Sequence, residues 1–344
     1  MPNYKVALVI GAGAFGTSIA SILANSFDKV ILKVRSKDVY DSIKEDSVND
    51  VYLPGQKLPS NVDAALEWDE VDAHKMDDLE LIVSGLPTTG IRPFFKENYD
   101  RFEKYFAKGI PFVSLSKGID TDTLELPDDL FFDFYGHYKE NFTFLSGPSF
   151  AKEIMQEQIT LVTLAGRSRR VLTQVSAMLE TPYFKALPSY DVKGVLLGGA
   201  LKNVIAIAGG VVEGLGYNHN TRAALITRGI VEMLRFGKVF NARPETFYGL
   251  SGMGDLILTT TGELSRNKQF GLEIAKGRSA SEIISSQRTV VEGYKTTQAA
   301  HLISEKYDIR AQIFNGLYEV LYEDHNPGDV IKKLMSSPSK FEIE

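Results

Sequence analysis

Apolar and polar positions fall in blocks along this chain, and the block lengths change past its middle. Short strand-like apolar runs occupy residues 5–10, 30–34, 79–84, 111–116, 141–146 and 160–164. Runs of this length, separated by amphipathic stretches such as residues 15–25, predict strands alternating with helices. Such alternation makes βαβ units and a mostly parallel sheet. From about Leu187 the periodic segments lengthen, to residues 192–215, 221–240, 266–276, 296–307 and 313–322, with glycine, asparagine and proline between them. The expected fold class is α/β: a doubly wound N-terminal sheet followed by an all-helical C-terminal domain. The expected boundary lies near Leu187-Pro188-Ser189, dividing the chain into residues 1–188 and 189–344.

One apolar run carries a residue that does not fit it. Lys202 sits within residues 195–208, which are otherwise apolar or glycine apart from Asn203. Burial disfavours the charged form of a lysine and lowers its pKa, which makes the group a usable acid or base near neutral pH. Residues 195–212 are also nearly long enough to cross a membrane, and Gly194 and Gly198 form a small-xxx-small pair. A central lysine costs about 2.5–3.5 kcal/mol on insertion, and no second such segment accompanies it. The better reading is a buried helix and no stable membrane insertion.

The strand at residues 6–10 runs directly into Gly11-Ala12-Gly13-Ala14-Phe15-Gly16. This is G-x-G-x-x-G between a buried strand and a helix. Gly11 allows the tight turn, Gly13 lets the backbone approach a pyrophosphate, and Gly16 lets helix and strand pack closely. The helix N-terminus then presents free N–H groups to an anion. An NAD-selective site places an acidic residue about twenty positions further on. Here the second strand ends in Arg35-Ser36-Lys37, which suits the 2′-phosphate of NADP, or is a solvated basic turn. NADPH is expected to serve at least as well as NADH.

Ligands of open parallel sheets bind beyond the carboxyl ends of the strands. Three such ends carry Leu86-Pro87-Thr88-Thr89-Gly90, Ser116-Lys117-Gly118 and Ser146-Gly147-Pro148-Ser149-Phe150. In the second half, Asp255 follows the glycine-rich Gly252-Met253-Gly254 and is either a helix N-cap or a carboxylate of the site. Ser265-Arg266-Asn267 opens a helix and reads equally as a cap or as a phosphate seat.

Composition narrows the possibilities further. With 344 residues, 44% hydrophobic and 24% charged, the chain is of globular type, and two domains are expected. A net charge of −6 argues against a nucleic-acid partner. No cysteine is present, which removes disulfides, thiol nucleophiles and thiolate-bound zinc, and the five histidines show no metal-ligand spacing. The first strand starts too early to leave room for a secretory leader, so a cytoplasmic location is expected. Apolar surface left on the helical half would suit a homodimer.

Taken together these residues resemble the bacterial-type NAD(P)-dependent sn-glycerol-3-phosphate dehydrogenases. The matching stretches include Tyr52-Leu53-Pro54-Gly55, Thr227-Arg228-Gly229, residues 197–206, and Val290-Val291-Glu292-Gly293-Tyr294, besides the motifs above. The resemblance implies a Rossmann domain, a helical domain, and a small phosphorylated substrate between them. It implies interconversion of dihydroxyacetone phosphate and sn-glycerol 3-phosphate with NADH or NADPH, feeding phospholipid synthesis. Carried over by motif, Lys202 is the proton donor and acceptor, with Asp255 holding it in place. Lys117, Gly147, Ser149, Lys202, Asp255, Ser265, Arg266 and Asn267 are implied substrate contacts. Gly11, Gly13, Ala14, Phe15, Gly16, Arg35, Lys117, Ala151, Arg266, Val291 and Glu292 are implied cofactor contacts. Glu292 also reads as a first-turn helix carboxylate. The loop after Leu86 and the Phe-, Tyr- and Asp-rich residues 127–138 fit the family less well. A hydroxy-acid dehydrogenase of the same plan and a non-enzymatic NADP sensor are the competing readings. Turnover of a nonphosphorylated substrate would favour the first, and tight cofactor binding without turnover the second.

Overall fold

The computed structural model describes residues 4–286 and 291–336. Val290 lies outside them. The strands are β1 (Tyr4–Ile10), β2 (Phe27–Lys33), β3 (Val48–Asn49), β4 (Leu53–Lys57), β5 (Val62–Ala65), β6 (Leu79–Ser84), β7 (Phe112–Ser114), β8 (Phe142–Ser146), β9 (Thr160–Gly166) and β10 (Phe184–Ser189). Eight of them form one sheet in the order β10-β9-β8-β7-β6-β1-β2-β5, while β3 and β4 make a small antiparallel hairpin. From β5 across to β8 every pairing is parallel; β9 turns antiparallel to β8, and β10 runs parallel to β9. The chain order reverses at β1, between β2 and β6. That topological switch opens a crevice at the carboxyl end of β1.

Strand β1 is apolar throughout because both its faces are covered. Side chains alternate across a sheet, so Ala7 and Val9 join Ile19, Leu23, Val171 and Val175 on one face. Leu8 and Ile10 join Phe95, Phe102, Phe106, Phe131 and Phe142 on the other. The aromatic segment that fits the family poorly is therefore core. It forms the helix Pro127–Tyr135, and Phe131 and Tyr135 are fully buried. Phe131 meets Phe95 edge-on at 5.1 Å between ring centroids and Phe112 at 5.0 Å, the arrangement ring quadrupoles favour.

The helical half is built around Val192–Gly214, which is buried over nearly its whole length. Asp191 caps its start, accepting from Gly194 N at 3.0 Å. This helix is long and apolar enough to cross a membrane, but 94% of its most apolar window is buried inside the protein. The helices His219–Val239, Asp255–Thr261, Arg266–Ala275 and Glu292–Lys306 wrap around it. The closest crossing is with Arg266–Ala275, where a Cβ on Gly271 would lie 2.1 Å from Ile207 O. Backbones meet there because neither side carries a side chain at the crossing.

Candidate active site

The dinucleotide turn has the backbone its glycines predict. Gly11 takes φ +95°, a conformation costly for any residue with a Cβ. A Cβ on Gly16 would lie 2.1 Å from Gly11 O, whereas one on Gly13 would meet nothing within 4 Å. The turn is thus closed on the protein side and open on the crevice side, a cradle that fits a dinucleotide pyrophosphate. Ala14 and Phe15 begin the helix Ala14–Leu23 and stay partly exposed at its N-terminus. Arg35 is exposed just beyond β2, and Lys37, also exposed, pairs with Asp41 at 3.1 Å. Ala151 starts the short helix Ala151–Met155 beyond β8.

Lys117 follows β7 and reaches from the sheet into the helical half. Its Nζ lies 5.6 Å from the centre of the Phe15 ring and donates to Asp255 Oδ2 at 2.8 Å. The other carboxylate oxygen, Oδ1, accepts from Lys202 Nζ at 2.5 Å. Lys202 also donates to Thr259 Oγ1 at 2.8 Å. Asp255 is 1% exposed and Lys202 6%. One buried carboxylate therefore holds two ammonium groups from opposite halves of the molecule. Gly254 occupies the cap position before the helix Asp255–Thr261, so the capping reading of Asp255 fails. Its charge is spent on the lysines instead.

Burial pulls Lys202 down to about 8; Asp255 pulls it up, and Lys117 adds to the fall. Burial alone would raise Asp255, but Lys117 and Lys202 overcome this and hold its carboxyl below the usual range. An amine poised near 8 exchanges a proton readily with a substrate oxygen at neutral pH.

The helix Arg266–Ala275 supplies the other wall. Ser265 Oγ accepts from Lys268 N at 3.2 Å, and Ser265 is 2% exposed. Ser265 thus caps this helix, and the same helix start remains the phosphate seat its motif suggests. Arg266 is exposed in the first turn of that helix. Asn267 Nδ2 donates to Asn203 Oδ1 at 2.9 Å, and its Oδ1 accepts from Gly293 N at 3.2 Å. Val291 caps and Glu292 opens the helix Glu292–Lys306, which begins four residues earlier than its periodicity predicts. Glu292 keeps part of its surface accessible. Protein crowding raises its carboxyl to about 7, against the pull of Arg266, Lys117 and Lys202. Beyond β8, Gly147 takes φ +150°, and a Cβ there would lie 2.8 Å from Val162 Cα. Ser149 Oγ donates to Gly147 O at 2.9 Å. The loop after β6 enters the helix Thr88–Glu97, and Ser116 Oγ donates to Leu86 O at 2.6 Å.

Sequence reasoning missed Thr259. Its position four residues after Asp255 on one helix places both on the same face, and that spacing was the available signal. It also missed Lys193, which ties the helical half to the aromatic helix through Asp128 at 2.9 Å and Asp129 at 2.7 Å.

A glycine turn of dinucleotide-binding form at the switch point of a parallel sheet, joined to a helical half that carries a buried lysine with a lowered pKa, defines a nicotinamide-dependent dehydrogenase of two-domain plan. Residues 5–172 match the NAD-dependent glycerol-3-phosphate dehydrogenase N-terminus family and residues 191–332 the corresponding C-terminus family. The chain is 40% identical over 334 residues to a glycerol-3-phosphate dehydrogenase [NAD(P)+] of Solidesulfovibrio magneticus, covering 97% of this chain and 99% of the relative. It is 41% identical over 335 residues to that of Leptospira biflexa, covering 97% and 98%. The crystal structure of glycerol-3-phosphate dehydrogenase from Coxiella burnetii superposes with a TM-score of 0.86 at 28% identity, covering 97% and 99%. The chain belongs to the NAD-dependent glycerol-3-phosphate dehydrogenase family.

Proposed function

We propose that this protein interconverts dihydroxyacetone phosphate and sn-glycerol 3-phosphate with NADPH or NADH, with Lys202 as the general acid and base. The observation that carries the reading is the Lys117–Asp255–Lys202 chain, which sets a buried amine beside the crevice where the two halves meet. Gly11, Gly13, Gly16, Ala14 and Phe15 hold the cofactor pyrophosphate, with Arg35 toward the adenosine end and Ala151, Val291 and Glu292 along the crevice. A bound nicotinamide supplies or accepts the hydride at C2 of the substrate. In the reductive direction Lys202, as ammonium, stabilises the developing alkoxide and then gives it a proton. In the oxidative direction the neutral amine takes that proton. Asp255 orients Lys202 and limits the fall in its pKa. Ser265, Arg266 and Asn267, together with Lys117, Gly147 and Ser149, clamp the phosphate, so that binding energy far from C2 positions the reacting carbon.

The division into residues 1–188 and 189–344 belongs to the same proposal, since Lys117 comes from the first part and Asp255 from the second. So do a cytoplasmic location, a homodimer, and supply of glycerol 3-phosphate to phospholipid synthesis. The test is oxidation of each reduced cofactor at 340 nm with dihydroxyacetone phosphate. NADPH should give a kcat/KM at least equal to that of NADH, because a basic turn and not a carboxylate follows β2. Lys202→Ala should lower kcat by about a hundredfold or more, the low end for a lost general acid. A folded variant with near-normal kcat would remove Lys202 from the chemistry.

A further inference from the structure

Asn49 is wholly buried in the β3–β4 hairpin, outside the two dehydrogenase domains' catalytic groups, yet its side chain reaches the dinucleotide turn. Its Nδ2 donates to Ala12 O at 2.9 Å and to Thr17 Oγ1 at 2.8 Å. Thr17 Oγ1 in turn donates to Ala12 O at 3.3 Å. Its own Oδ1 is buried without a partner. Such a group costs free energy and needs a reason to persist. Turning the amide over would aim Oδ1 at the Ala12 carbonyl, acceptor against acceptor, so the donors fix its orientation.

We propose that Asn49 is a positioning residue for the dinucleotide, acting through the peptide between Ala12 and Gly13. In a trans peptide the C=O and the following N–H point opposite ways. Asn49 and Thr17 draw the Ala12 carbonyl inward, so the Gly13 N–H turns the opposite way, at a residue with open space beside it, where a Cβ would meet nothing within 4 Å. That is the donor a pyrophosphate oxygen would use. The hairpin carrying Asn49 also packs against the helix Ala151–Met155. It therefore ties the glycine turn to the loop beyond β8, and gives the Tyr52-Leu53-Pro54-Gly55 stretch a place in the cofactor site. Among the described residues, the side-chain hydrogen bonds of Lys202 and Asp255 go to Lys117, Thr259 and each other and not to the hairpin, so the effect is on holding the cofactor and not on proton transfer.

The inference rests on the dinucleotide reading above, and direct titration of cofactor binding separates the two. Dissociation constants for NADPH are measured by fluorescence without turnover, alongside kcat and KM for both substrates. Asn49→Ala should weaken NADPH about tenfold, the cost of one or two lost hydrogen bonds, with kcat and the KM for dihydroxyacetone phosphate within about twofold of the parent. Asn49→Asp keeps the shape but cannot donate once ionised, so at a pH where its carboxyl is ionised it should bind no better than Asn49→Ala. Thr17→Val, isosteric and milder, should weaken NADPH about threefold and decides the matter if the Asn49 variants do not fold. Parent-like NADPH binding in Asn49→Asp or in Thr17→Val would overturn the proposal, as would a loss shared equally by dihydroxyacetone phosphate. Failure of the parent itself to bind NADPH would instead overturn the dinucleotide reading.

Discussion

Replacing Asp255 with asparagine should convert the site from two salt-linked ammonium groups into two facing cations with no anion between them. The carboxylate is 1% exposed and lies 2.5 Å from Lys202 and 2.8 Å from Lys117. Removing one partner of a buried ion pair costs roughly 3–5 kcal/mol. Lysine can escape that cost by losing its proton, at about 1.4 kcal/mol per pKa unit, so a drop of about 2 units or more is available. Lys202 is the more enclosed of the two amines, with 8% of its side chain exposed against 14% for Lys117, and it should be the one to deprotonate. In the parent, Lys202 near 8 makes reduction fall and oxidation rise as pH increases through that value. In Asp255→Asn the rise of oxidative kcat should move to about pH 6 or below, and reduction at pH 7 should collapse for want of a charged donor. The assay is kcat against pH in both directions at 340 nm, with thermal melts to establish folding. An oxidative limb that stays near 8 in a folded Asp255→Asn protein would refute the reasoning, because it would mean the carboxylate does not set the basicity of the amine.

Two other outcomes test different parts of the molecule. Arg266→Ala should lower kcat/KM for dihydroxyacetone phosphate by roughly 10- to 100-fold, the worth of a charge-assisted hydrogen bond, and lower that for unphosphorylated dihydroxyacetone far less; equal losses on both would remove Arg266 from the phosphate. Gly271→Ala forces a Cβ to 2.1 Å from Ile207 O and 2.8 Å from Val211 N, so it should destabilise the helical half by roughly 1–3 kcal/mol. Calorimetry reads that as a lowered Tm, and an unchanged Tm would mean the helix crossing can relax freely.

The parts of the fold legible in the sequence were those written in local periodicity. Strand β6 and the central helix stand within a residue of their predicted ends because each is dominated by apolar positions and bounded by polar or glycine ones. Strand β10 escaped, since Lys185 and Pro188 break any apolar run on this edge strand. The helices Lys37–Asp46, Tyr99–Ala107 and Arg169–Leu179 escaped because each buries only one stripe, diluted among charges. Lys202 announced itself by its apolar neighbours. Asp255 stood out as a carboxylate after a glycine-rich turn, but its pairing with Lys202 across 53 positions came only from the resemblance, and nothing local showed Lys117 reaching that carboxylate across 138. Ser265 showed the limit of motif reading, since a helix cap and an anion contact ask for the same residue type at the same place. The hairpin of Asn49 left no period at all: β3 is two residues long, and its meaning lies in a contact across 37 positions.

The bridge from Lys117 to Asp255 joins a loop of the sheet to a helix of the other half, so its integrity depends on how the halves stand to one another. Separating them would take one cation off the carboxylate and leave the whole negative charge to Lys202. The amine would then hold its proton more firmly, since Lys117 no longer repels it. A gaping enzyme would carry a sluggish base, and a shut one a responsive base. One aspartate thereby couples the basicity of the amine to the stance of the two halves.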